Sequence, residues 1–583
     1  LQAQNTRTTI TPAAGESTVT SYTDKEVIMN LNTKIHITAA NAKTALVNSV
    51  IQLNNIDAWI YFDNIRPQVV IDSLLKYFTV NTAAAVNGTN TRVAIYRHGA
   101  VVIPHSPQFQ ALKVYSDQNF TGDSTTFSLF TFNTNLGGFD NKIRSFKLKR
   151  GYMATLATSS DGTGYSRVFI ADNADREFAV MPDLLDRKVS FIRVVRWDWP
   201  SKKGWAGSDY NQYTKTQSTW RYDWSAGGST SNYVQYVPIK QNAGWPGWSE
   251  ISNKQNVSHV LGFNEPDQAD QSNMKFQTMI DMWPDFMKTG LRIGSPAFAN
   301  PWNGANGGTL FDFIKKCEEL NYRVDFVALH CYWGGKSPQN WYNDLKSIYQ
   351  QVKRPLWITE WNNGANWTTE TWPTADRSLS AANAAKQLND IKGILTVLDT
   401  ASFIERYSIY NWVQDCRAMV LADTLTPAGK YYAANKPGFA YNSKYEVVPG
   451  FNFGNPTLNI SFGTKNITLT QSDQNAELFE GMIIEKNVDN KGWQEFYNST
   501  NFTRSVTDTF DVNFGRKFRY KVRARLPNNT FTAYSSETGY DFTDNVDIQC
   551  GKLSYSNVGW NAVFFGKPYS SIPTIILGAP TNA

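Results

Sequence analysis

Apolar and polar residues alternate along the first part of the chain and again near its end. Runs such as IHITAA, AWIYFDNI and RVAIYRHGAVVIPH alternate between breaks rich in Asn, Gly and Thr. Alternation with a period of two predicts β-strands that bury one face. Residues 1–108 are therefore expected to form a β-sandwich-like accessory domain, and residues 443–541 are expected to form another β-domain.

Residues 197–442 follow a different pattern, in which short apolar runs alternate with helical stretches such as WYNDLKSIYQQV. Repeated strand–helix units predict a parallel sheet. Seven strands are clear, among them VLGFN, VDFVALH and PLWIT, and each ends in polar or charged residues. This arrangement predicts a (β/α)8 TIM barrel. A doubly wound open sheet is the alternative, but no Gly-rich phosphate loop follows any of the strands.

Residues 109–196 contain an internal duplication. The first half runs from KVYSDQNFTGDSTTF to NKIRSFKLKRG, and the second runs from YMATLATSSDGTGYSRVFI to LLDRKVSFIRV. The segment resembles a βγ-crystallin domain, a family whose members often hold calcium through paired acidic or Asn residues. Asp140 and Asn141 fit that pattern in part, but Arg144 stands where Ser or Thr is expected. A structural role without calcium is therefore expected.

The last two segments carry further resemblances. In residues 443–541 the run RKFRYKVRARLPNNTFTAYSS, with Tyr520 and Val522 before a turn, resembles a fibronectin type III module. Residues 542–583 are similar to the start of an H-type lectin domain and stop before such a domain would be complete, which suggests a fragment of a longer protein. The expected chain is thus multidomain, with a TIM barrel flanked by all-β, sandwich-like domains.

Composition narrows the class of protein. Hydrophobic residues make up 41% and charged residues 18% of the chain, so packed cores are expected. The net charge is +6, but Lys and Arg are scattered, so nucleic acid is not expected as a partner. No run of eighteen apolar residues exists, and no membrane span is predicted. The start, LQAQNTRTT, resembles what remains beside a removed signal peptide, so we expect a secreted monomer.

Cysteine and histidine spacing argues against a metal or another cofactor. The four cysteines form no CxxC pair, and either one disulfide or buried free thiols would fit them. The five histidines show no paired ligand spacing, and no GxSxG elbow is present. Neither a catalytic metal nor another cofactor is expected.

Tryptophan is abundant in the middle of the chain. Sixteen of the nineteen tryptophans lie between Trp197 and Trp412, many beside Gly, Asn, Asp or Pro, where loops form. The flat indole ring can stack on the apolar face of a sugar, so this segment predicts a carbohydrate cleft. A large aromatic core is the alternative.

Two glutamates end apolar strands of this segment. Glu265 follows VLGFN and Glu360 follows LWIT. Cleaving a glycosidic bond needs one carboxyl group to protonate the leaving oxygen and another to attack the anomeric carbon or activate water. The carboxyl ends of barrel strands meet at one rim, so the two groups can meet there. His330 or Tyr332, at a neighbouring strand end, could donate a hydrogen bond to Glu360.

Together these runs resemble glycoside hydrolase family 128, a family of small clan-A barrels. The resemblance rests on WRYDW, VPI, LGFNEPDQADQSN, GSPA, DFVALHCYW and WITEW. It implies that Glu265 is the acid/base and Glu360 the nucleophile of a retaining endo-β-1,3-glucanase. Asp223 departs from the family pattern, where Asn is commoner. The substrate-binding candidates in these runs are Tyr222, Asp223, Trp224, Asn264, Ser295, His330, Tyr332, Trp333, Trp361 and Trp412.

Two alternatives stay open at the level of sequence. The same barrel could act on another β-linked polymer, such as a galactan of the agar or carrageenan type, because loop shape decides the substrate. A non-catalytic carbohydrate-binding protein is the other alternative. Such a protein could afford to lose one carboxylate, whereas this chain keeps both.

Overall fold

A computed structural model describes residues 7–463, 465–473, 475–510, 516–527 and 530–542, without the side chain of residue 477. The chain divides between Asn452 and Phe453 into two units. The lectin-like tail predicted for residues 542–583 lies outside the described residues except for its first residue, and so does Cys550.

The first described segment consists of short strands, most of which pair in parallel. They are β1 (Thr8–Ile10), β2 (Gly15–Val19), β3 (Tyr22–Thr23), β4 (Lys25–Met29), β5 (Thr33–Ile37), β6 (Leu46–Val47), β7 (Val50–Leu53), β8 (Trp59–Phe62), β9 (Phe78–Val80), β10 (Ala83–Ala84), β11 (Arg92–Arg97) and β12 (Gly99–Ile103), with helices α1 (Ala42–Ala45) and α2 (Pro67–Val69). One sheet pairs β1, β4, β7 and β9 in parallel, and another pairs β2, β5 and β8 in parallel. Each time the chain winds around this segment, it therefore adds one parallel strand to each of the two sheets. The exceptions are antiparallel pairs: β10 pairs with β9, and β12 pairs with β8 and with β11.

The two sheets enclose one apolar core, to which alternate residues of each strand contribute. In β5, Ile35 and Ile37 are buried, whereas Lys34 and His36 remain half-exposed. The sequence predicted a sandwich-like domain from this alternation. Hairpin-connected strands would pair antiparallel, whereas successive strands of these two sheets pair in parallel. The alternation could not predict this, because it fixes the buried face of a strand and not the direction of its neighbour.

The duplicated segment forms two antiparallel sheets. Its strands are β13 (Leu112–Tyr115), β14 (Ser124–Phe127), β15 (Phe132–Asn133), β16 (Ser145–Leu148), β17 (Tyr152–Ala157), β18 (Ser166–Ala171), β19 (Arg176–Phe178) and β20 (Phe191–Arg196). The sheet orders are β14-β13-β16-β19 and β15-β20-β17-β18, so each half gives one strand to the sheet of the other half. Arg144 donates to a carboxylate oxygen of Asp186 over 3.2 Å, which pairs that acidic group with a guanidinium.

A parallel sheet follows. Its segment contains strands β21 (Trp199–Pro200), β22 (Lys203–Ala206), β23 (Trp220–Tyr222), β24 (Gln235–Tyr236), β25 (His259–Val260), β26 (Arg292–Ile293), β27 (Val327–Cys331), β28 (Leu356–Trp361), β29 (Ile404–Tyr410), β30 (Val420–Leu421) and β31 (Thr424–Leu425). Six strands pair in parallel in the order β24-β23-β22-β29-β28-β27, and β25 pairs with β26 in parallel. Single parallel bridges join Ile239 to Leu261 and Gly294 to Phe326.

Helices connect most of these strands. They are α3 (Tyr210–Lys215), α4 (Trp248–Ser252), α5 (Phe276–Asp281), α6 (Trp283–Lys288), α7 (Leu310–Glu319), α8 (Pro338–Val352), α9 (Ala381–Thr400) and α10 (Pro427–Ala434). Side chains cap several helix starts: Thr309 accepts from the amide of Asp312 in α7, and Ser380 accepts from the amide of Asn383 in α9. The predicted alternation of strands and helices in this segment is confirmed.

The parallel strands separate two apolar cores. On one face, Trp220, Tyr222 and Trp357 pack in a small cluster. The other face belongs to the large core that the helices cover, and it includes Ile358 and Trp361. The pairing register of β28 shifts between Ile358 and Trp361, which marks a β-bulge. The extra residue turns Glu360 toward the face of Tyr222 and leaves Trp361 on the helix-covered face.

The second unit is all β over its described residues. Its strands are β32 (Leu458–Phe462), β33 (Asn466–Gln471), β34 (Gly481–Val488), β35 (Trp493–Ser499), β36 (Ser505–Thr509), β37 (Lys517–Arg525) and β38 (Thr538–Asp541). They form antiparallel sheets β32-β33-β36 and β35-β34-β37-β38. Strand β37 buries every second residue, from Phe518 through Tyr520 and Val522 to Ala524. The described part of the chain is thus mostly β and built from many sheets.

The sequence predicted no membrane span, and it left either one disulfide or buried free thiols open for the cysteines. Within the described ranges, none of the helices combines the length and the apolar character needed to cross a membrane. Cys317, Cys331 and Cys416 are buried free thiols, as one of the two readings of the cysteines predicted.

Candidate active site

Glu360 lies at the end of β28 and is surrounded by hydrogen-bond donors. The hydroxyl of Tyr222 and the indole Nε1 of Trp224 each donate to its Oε1 over 2.7 Å. The hydroxyl of Tyr332 donates to Oε2 over 2.5 Å. An ionised carboxylate offers only acceptor atoms, so three donors make the surroundings complementary to the ionised form.

Burial and the neighbouring carboxylate keep these phenols protonated. Burial, and then the charge of Glu360, raise the pKa values of Tyr222 and Tyr332 well above the ordinary value. Trp224 adopts a left-handed backbone conformation with φ of 57°. A bulky residue rarely adopts this conformation, and such strain is typical of sites where function fixes a side chain.

Glu265 lies beyond β25, on the same edge of the parallel strands. Its amide donates to the carbonyl of Ala297 over 2.8 Å, which ties it to the segment that follows β26. Its backbone is also left-handed, with φ of 43°. Among the described residues, only His330 hydrogen-bonds its side chain, at Oε1, so Oε2 is free to meet a substrate atom.

His330 bridges the two carboxylates. Its Nδ1 donates to Oε1 of Glu265 over 2.6 Å, and its Nε2 lies 3.5 Å from Oε1 of Glu360. Burial favours the neutral ring, but the charges of Glu360 and Glu265 outweigh burial and raise the pKa of His330. The sequence predicted that His330 could donate to Glu360, whereas its shorter bond is to Glu265.

One ligand-type atom from each of Glu265, His330 and Glu360 lies within 4.8 Å of the others. Two carboxylates and an imidazole are donors that a divalent metal could use. A metal at Oε1 of Glu360 would compete with the hydroxyl of Tyr222 and the indole of Trp224, which already occupy that oxygen. The donor set is therefore better suited to proton chemistry than to a metal.

Asn264 is buried next to Glu265. Its Nδ2 donates to Gln271 over 3.3 Å, and its Oδ1 has no hydrogen-bond partner in the described part of the chain. A buried amide oxygen without a partner costs free energy unless a ligand satisfies it. A sugar hydroxyl would be such a ligand, in line with the predicted role.

Three of the predicted binding residues are buried or already bonded to other groups of the protein. Ser295 is fully buried, and its hydroxyl donates to the carbonyl of Pro296 and accepts from the amide of Ala328. Asp223 pairs with Arg221 over 2.8 Å and accepts from Tyr236 over 2.6 Å, so its carboxylate is occupied. Trp361 is fully buried on the helix-covered face.

Aromatic rings extend from the carboxylates along the same edge. Ring contacts of 5–6.5 Å link Tyr222 to Trp224 (5.4 Å), Trp224 to Tyr410 (5.6 Å), Tyr410 to Trp412 (5.7 Å), Tyr332 to Trp367 (5.1 Å) and Trp302 to Trp333 (6.4 Å). The structure thus brings the predicted residues Trp224 and Tyr332 to Glu360. The ring of Tyr410 links Trp412 to Trp224, and Trp333 pairs with Trp302.

The exposed tryptophans of the described residues all follow the carboxyl ends of parallel strands. Trp245 (47% exposed) follows β24, Trp302 (44%) follows β26, Trp367 (64%) follows β28, and Trp412 (48%) follows β29. Exposing an indole ring is unfavourable without a ligand, so a shared edge indicates a binding surface. Trp245 was not among the sequence candidates, although it stands between Gly and Pro, where a loop is expected.

Comparisons with solved structures find many matches, among them three proteins of glycoside hydrolase family 128. A subgroup I endo-β-1,3-glucanase from Amycolatopsis mediterranei is 27% identical over 40% of this chain and 99% of its own, with a TM-score of 0.35. A subgroup II endo-β-1,3-glucanase from Sorangium cellulosum is 22% identical over 41% and 99%, with a TM-score of 0.33. A subgroup VII oligosaccharide-binding protein from Trichoderma gamsii is 20% identical over 40% and 92%, with a TM-score of 0.32.

A comparison with curated proteins finds no match to this sequence. The family models give one: residues 198–432 match the model described as glycosyl hydrolase catalytic core. This range contains both Glu265 and Glu360 and the strands that carry them. The predicted glycoside hydrolase segment is therefore confirmed: residues 198–432 are similar to a glycosyl hydrolase catalytic core.

Proposed function

We propose that this protein is a retaining endo-glycoside hydrolase that cleaves a β-linked polysaccharide, with β-1,3-glucan as the first substrate. One observation carries the proposal: Glu265 and Glu360 face each other at one edge of the parallel strands, with carboxylate oxygens within 4.8 Å. Retaining enzymes hold their carboxyl groups about 5–5.5 Å apart, and inverting enzymes about 6.5–9.5 Å apart. The short separation leaves no room for a water molecule between the carboxylate and the sugar.

Glu265 is the acid/base of this proposal. An acid must present one oxygen to the glycosidic oxygen, and Oε2 of Glu265 carries no hydrogen bond from the described residues. Its proton passes to the leaving oxygen as the bond to the anomeric carbon breaks. In the second step the same oxygen removes a proton from the attacking water, which restores the acid.

Glu360 is the nucleophile. A carboxylate oxygen attacks the anomeric carbon and forms a covalent glycosyl-enzyme, and water later displaces the carboxylate with retention of configuration. The donors Tyr222, Trp224 and Tyr332 fix the carboxylate plane before the attack. Fixed geometry supports this step because attack requires alignment with the anomeric carbon.

His330 links the two roles. With a proton on each ring nitrogen it faces both carboxylates, which reduces the repulsion between two negative charges in a small space. After Glu360 becomes an ester, one of those charges is gone. A mobile proton between Glu265 and His330 can then follow the charge from one step to the next.

Endo action follows from the length of the aromatic edge. The exposed rings of Trp245, Trp302, Trp367 and Trp412 stand on four separate loops. Several platforms spread over four loops suit a chain of many sugars rather than a single terminal sugar. The resemblance to family 128 makes β-1,3-glucan the first polymer to test.

We also propose a closed (β/α)8 barrel for this segment. The support is that pairings run from β27 through β29 and β22 to β24, that β25 pairs with β26, and that bridges Ile239/Leu261 and Gly294/Phe326 join the groups. Active sites of such barrels lie at the carboxyl ends of the strands. The strand exchange between the halves of residues 109–196 supports the βγ-crystallin-like duplication. Secretion by a monomer suits a polymeric substrate that cannot enter a cell.

The test combines a polymer panel with two glutamine variants. Laminarin and curdlan should be cut to oligosaccharides of mixed length, and agarose and carrageenan should not, while proton NMR should detect the β-anomer first. Glu265→Gln should lower turnover about 10²–10⁴-fold on laminarin, but less on a glucoside with a dinitrophenolate leaving group, which needs no protonation. Glu360→Gln should lose activity on both substrates.

Glu319→Gln, on the exposed end of α7, serves as the matched control and should behave as wild type. If the enzyme cleaved only a galactan, the proposed substrate would be wrong and the proposed mechanism would stand. Oligosaccharide binding without any cleavage would make the protein a carbohydrate-binding protein instead. Release of the α-anomer first would refute retention.

A further inference from the structure

Residues 362–380, here called the β28 loop, connect β28 to α9 without a strand or helix of their own. This loop carries Trp367, the most exposed of the four edge tryptophans at 64%. A long irregular connection is ordinarily the mobile part of a fold. A ring at its tip can serve as a binding platform only if something holds the loop in place.

A buried ion pair joins Glu370 of the β28 loop to Arg417 in the segment after β29. The guanidinium of Arg417 donates to Oε1 of Glu370, and the side chains of Arg417 and Glu370 are 0% and 6% exposed. Arg417 also donates through Nε to the carbonyl of Asn363 over 2.8 Å. Burial lowers the pKa of Arg417 to about 10, which leaves it protonated near neutral pH. The pair therefore ties the loop to the segment after β29.

Glycines of two loops make room for Glu370. A Cβ at Gly334, in the loop after β27, would overlap Oε2 of Glu370, and a Cβ at Gly364 would overlap Oε1. Gly364 also has φ of +72°, which glycine adopts without strain. Glu370 thus fills a slot between the loops that follow β27 and β28.

The slot lies next to the residues that hold the nucleophile. Tyr332 precedes Gly334 by two residues, and its hydroxyl donates to Glu360. The ring of Trp367 packs edge-on against the ring of Tyr332, with centroids 5.1 Å apart. Within the β28 loop, Arg377 donates to the carbonyl of Thr368 over 3.2 Å, which holds the residue after Trp367.

We propose that the buried Glu370–Arg417 pair is a positioning device that holds the β28 loop so that Trp367 serves as a sugar platform beside Tyr332. The inference rests on the proposed glycoside hydrolase function, since it assigns Trp367 a share of substrate binding. Glu370 touches no substrate in this scheme. A buried pair of this kind contributes little net stability but fixes one arrangement, because a misplaced charge would remain unpaired.

The test is a double-mutant cycle measured on laminarin. Glu370→Gln keeps the shape of the side chain and removes its charge, and we expect it to raise KM on the order of tenfold, with kcat within about twofold of wild type. Trp367→Ala should raise KM by a similar factor. The double variant should show the same tenfold rise, because both changes remove one platform.

Three further variants separate this effect from general destabilisation. Glu405→Gln breaks the buried pair with Arg292, on strands β26 and β29, and should lower the unfolding temperature without raising KM. Gly334→Ala should displace the Glu370 carboxylate and reproduce the Glu370→Gln phenotype. Combining Glu370→Gln with Trp412→Ala, a different platform, should multiply the two KM factors.

Hydrogen exchange gives a readout that does not need activity. Amides of the β28 loop should exchange faster in Glu370→Gln than in wild type, and those of β29 should not. Faster exchange in a protein that is inactive on laminarin would refute the proposed substrate and leave the positioning role intact. Unchanged exchange, or a double variant whose KM rises about a hundredfold, would overturn the positioning role.

Discussion

The hydroxyl of Tyr332 offers a sharp test of how Glu360 is held. Tyr332→Phe removes one oxygen atom and keeps the ring that packs against Trp367. In the wild type Oε2 of Glu360 accepts from Tyr332 alone among the described residues, whereas Oε1 accepts from both Tyr222 and Trp224. The variant therefore leaves one carboxylate oxygen without a donor.

The magnitude follows from the charge on the acceptor. A hydrogen bond to a charged group contributes about 1.5–3 kcal/mol, and each 1.36 kcal/mol is about tenfold in rate. In the proposed retaining mechanism the bond is stronger to the free carboxylate than to the ester, so its loss slows the step that regenerates the carboxylate. Hydrolysis of the glycosyl-enzyme should therefore slow about 10- to 150-fold in Tyr332→Phe.

Tyr222→Phe is the matched comparison. It also removes a phenolic hydroxyl from Glu360, but Oε1 keeps the indole donor of Trp224 at 2.7 Å. We expect a loss of about tenfold or less, since a partner remains. The structure therefore predicts that hydrolysis of the intermediate is slower in Tyr332→Phe than in Tyr222→Phe.

The assay is a stopped-flow measurement with a dinitrophenyl β-glucoside of two or three sugars. Tyr332→Phe should release a burst of dinitrophenolate followed by a slow steady state, and intact mass spectrometry should detect the glycosyl-enzyme. The reasoning fails if hydrolysis of the intermediate stays within twofold of wild type. It also fails if Tyr222→Phe is the slower variant while both fold normally.

Three further predictions concern the cleft, acid stability and a buried ion pair. Trp302→Ala should raise KM for laminarin on the order of tenfold, because it removes an exposed ring. Trp361→Phe should lower the unfolding temperature and leave KM unchanged, because Trp361 is buried. A higher KM in Trp361→Phe with an unchanged KM in Trp302→Ala would contradict these positions. Burial lowers the pKa of His105 to about 3, so the unfolded chain binds more protons between pH 6.5 and 3, and stability is lost as pH falls through this window. His105→Gln should reduce the loss of unfolding free energy between pH 7 and pH 4 by about 3 kcal/mol, and an unchanged loss would exclude this origin. Glu405→Gln leaves Arg292 buried without its partner and should cost about 3–5 kcal/mol in the free energy of unfolding, measured by denaturant titration; a loss below about 1 kcal/mol would contradict it.

Much of the site was predictable because it lies where strands end. Glu265 and Glu360 each follow an apolar run, and parallel strands bring their carboxyl ends to one edge. Helix starts also have local causes, since the side chains of Ser380 and Thr309 cap the helices that follow them. These features depend on neighbours in sequence, which the pattern of residues records directly.

Side-chain direction near Glu360 was not predictable in the same way. Regular alternation from Trp357, which faces the inner core, would also have turned Trp361 inward and Glu360 outward. The β-bulge in β28 reverses this order, and no residue type in WITEW marks it. The sequence therefore named Trp361 as a binding residue, and the register of the neighbouring strands buried it.

The sequence by itself determined where strands and helices form, which strand ends carry carboxylates, and that tryptophans crowd one segment. The tertiary structure alone decided that the first strands stack in parallel, that His330 pairs with Glu265, and that Glu370 and Arg417 meet in a buried slot. The physical reason is the range of the forces involved. Hydrophobic periodicity and capping act over a few residues, whereas strand register, bulges and buried charge pairs join segments far apart in the chain.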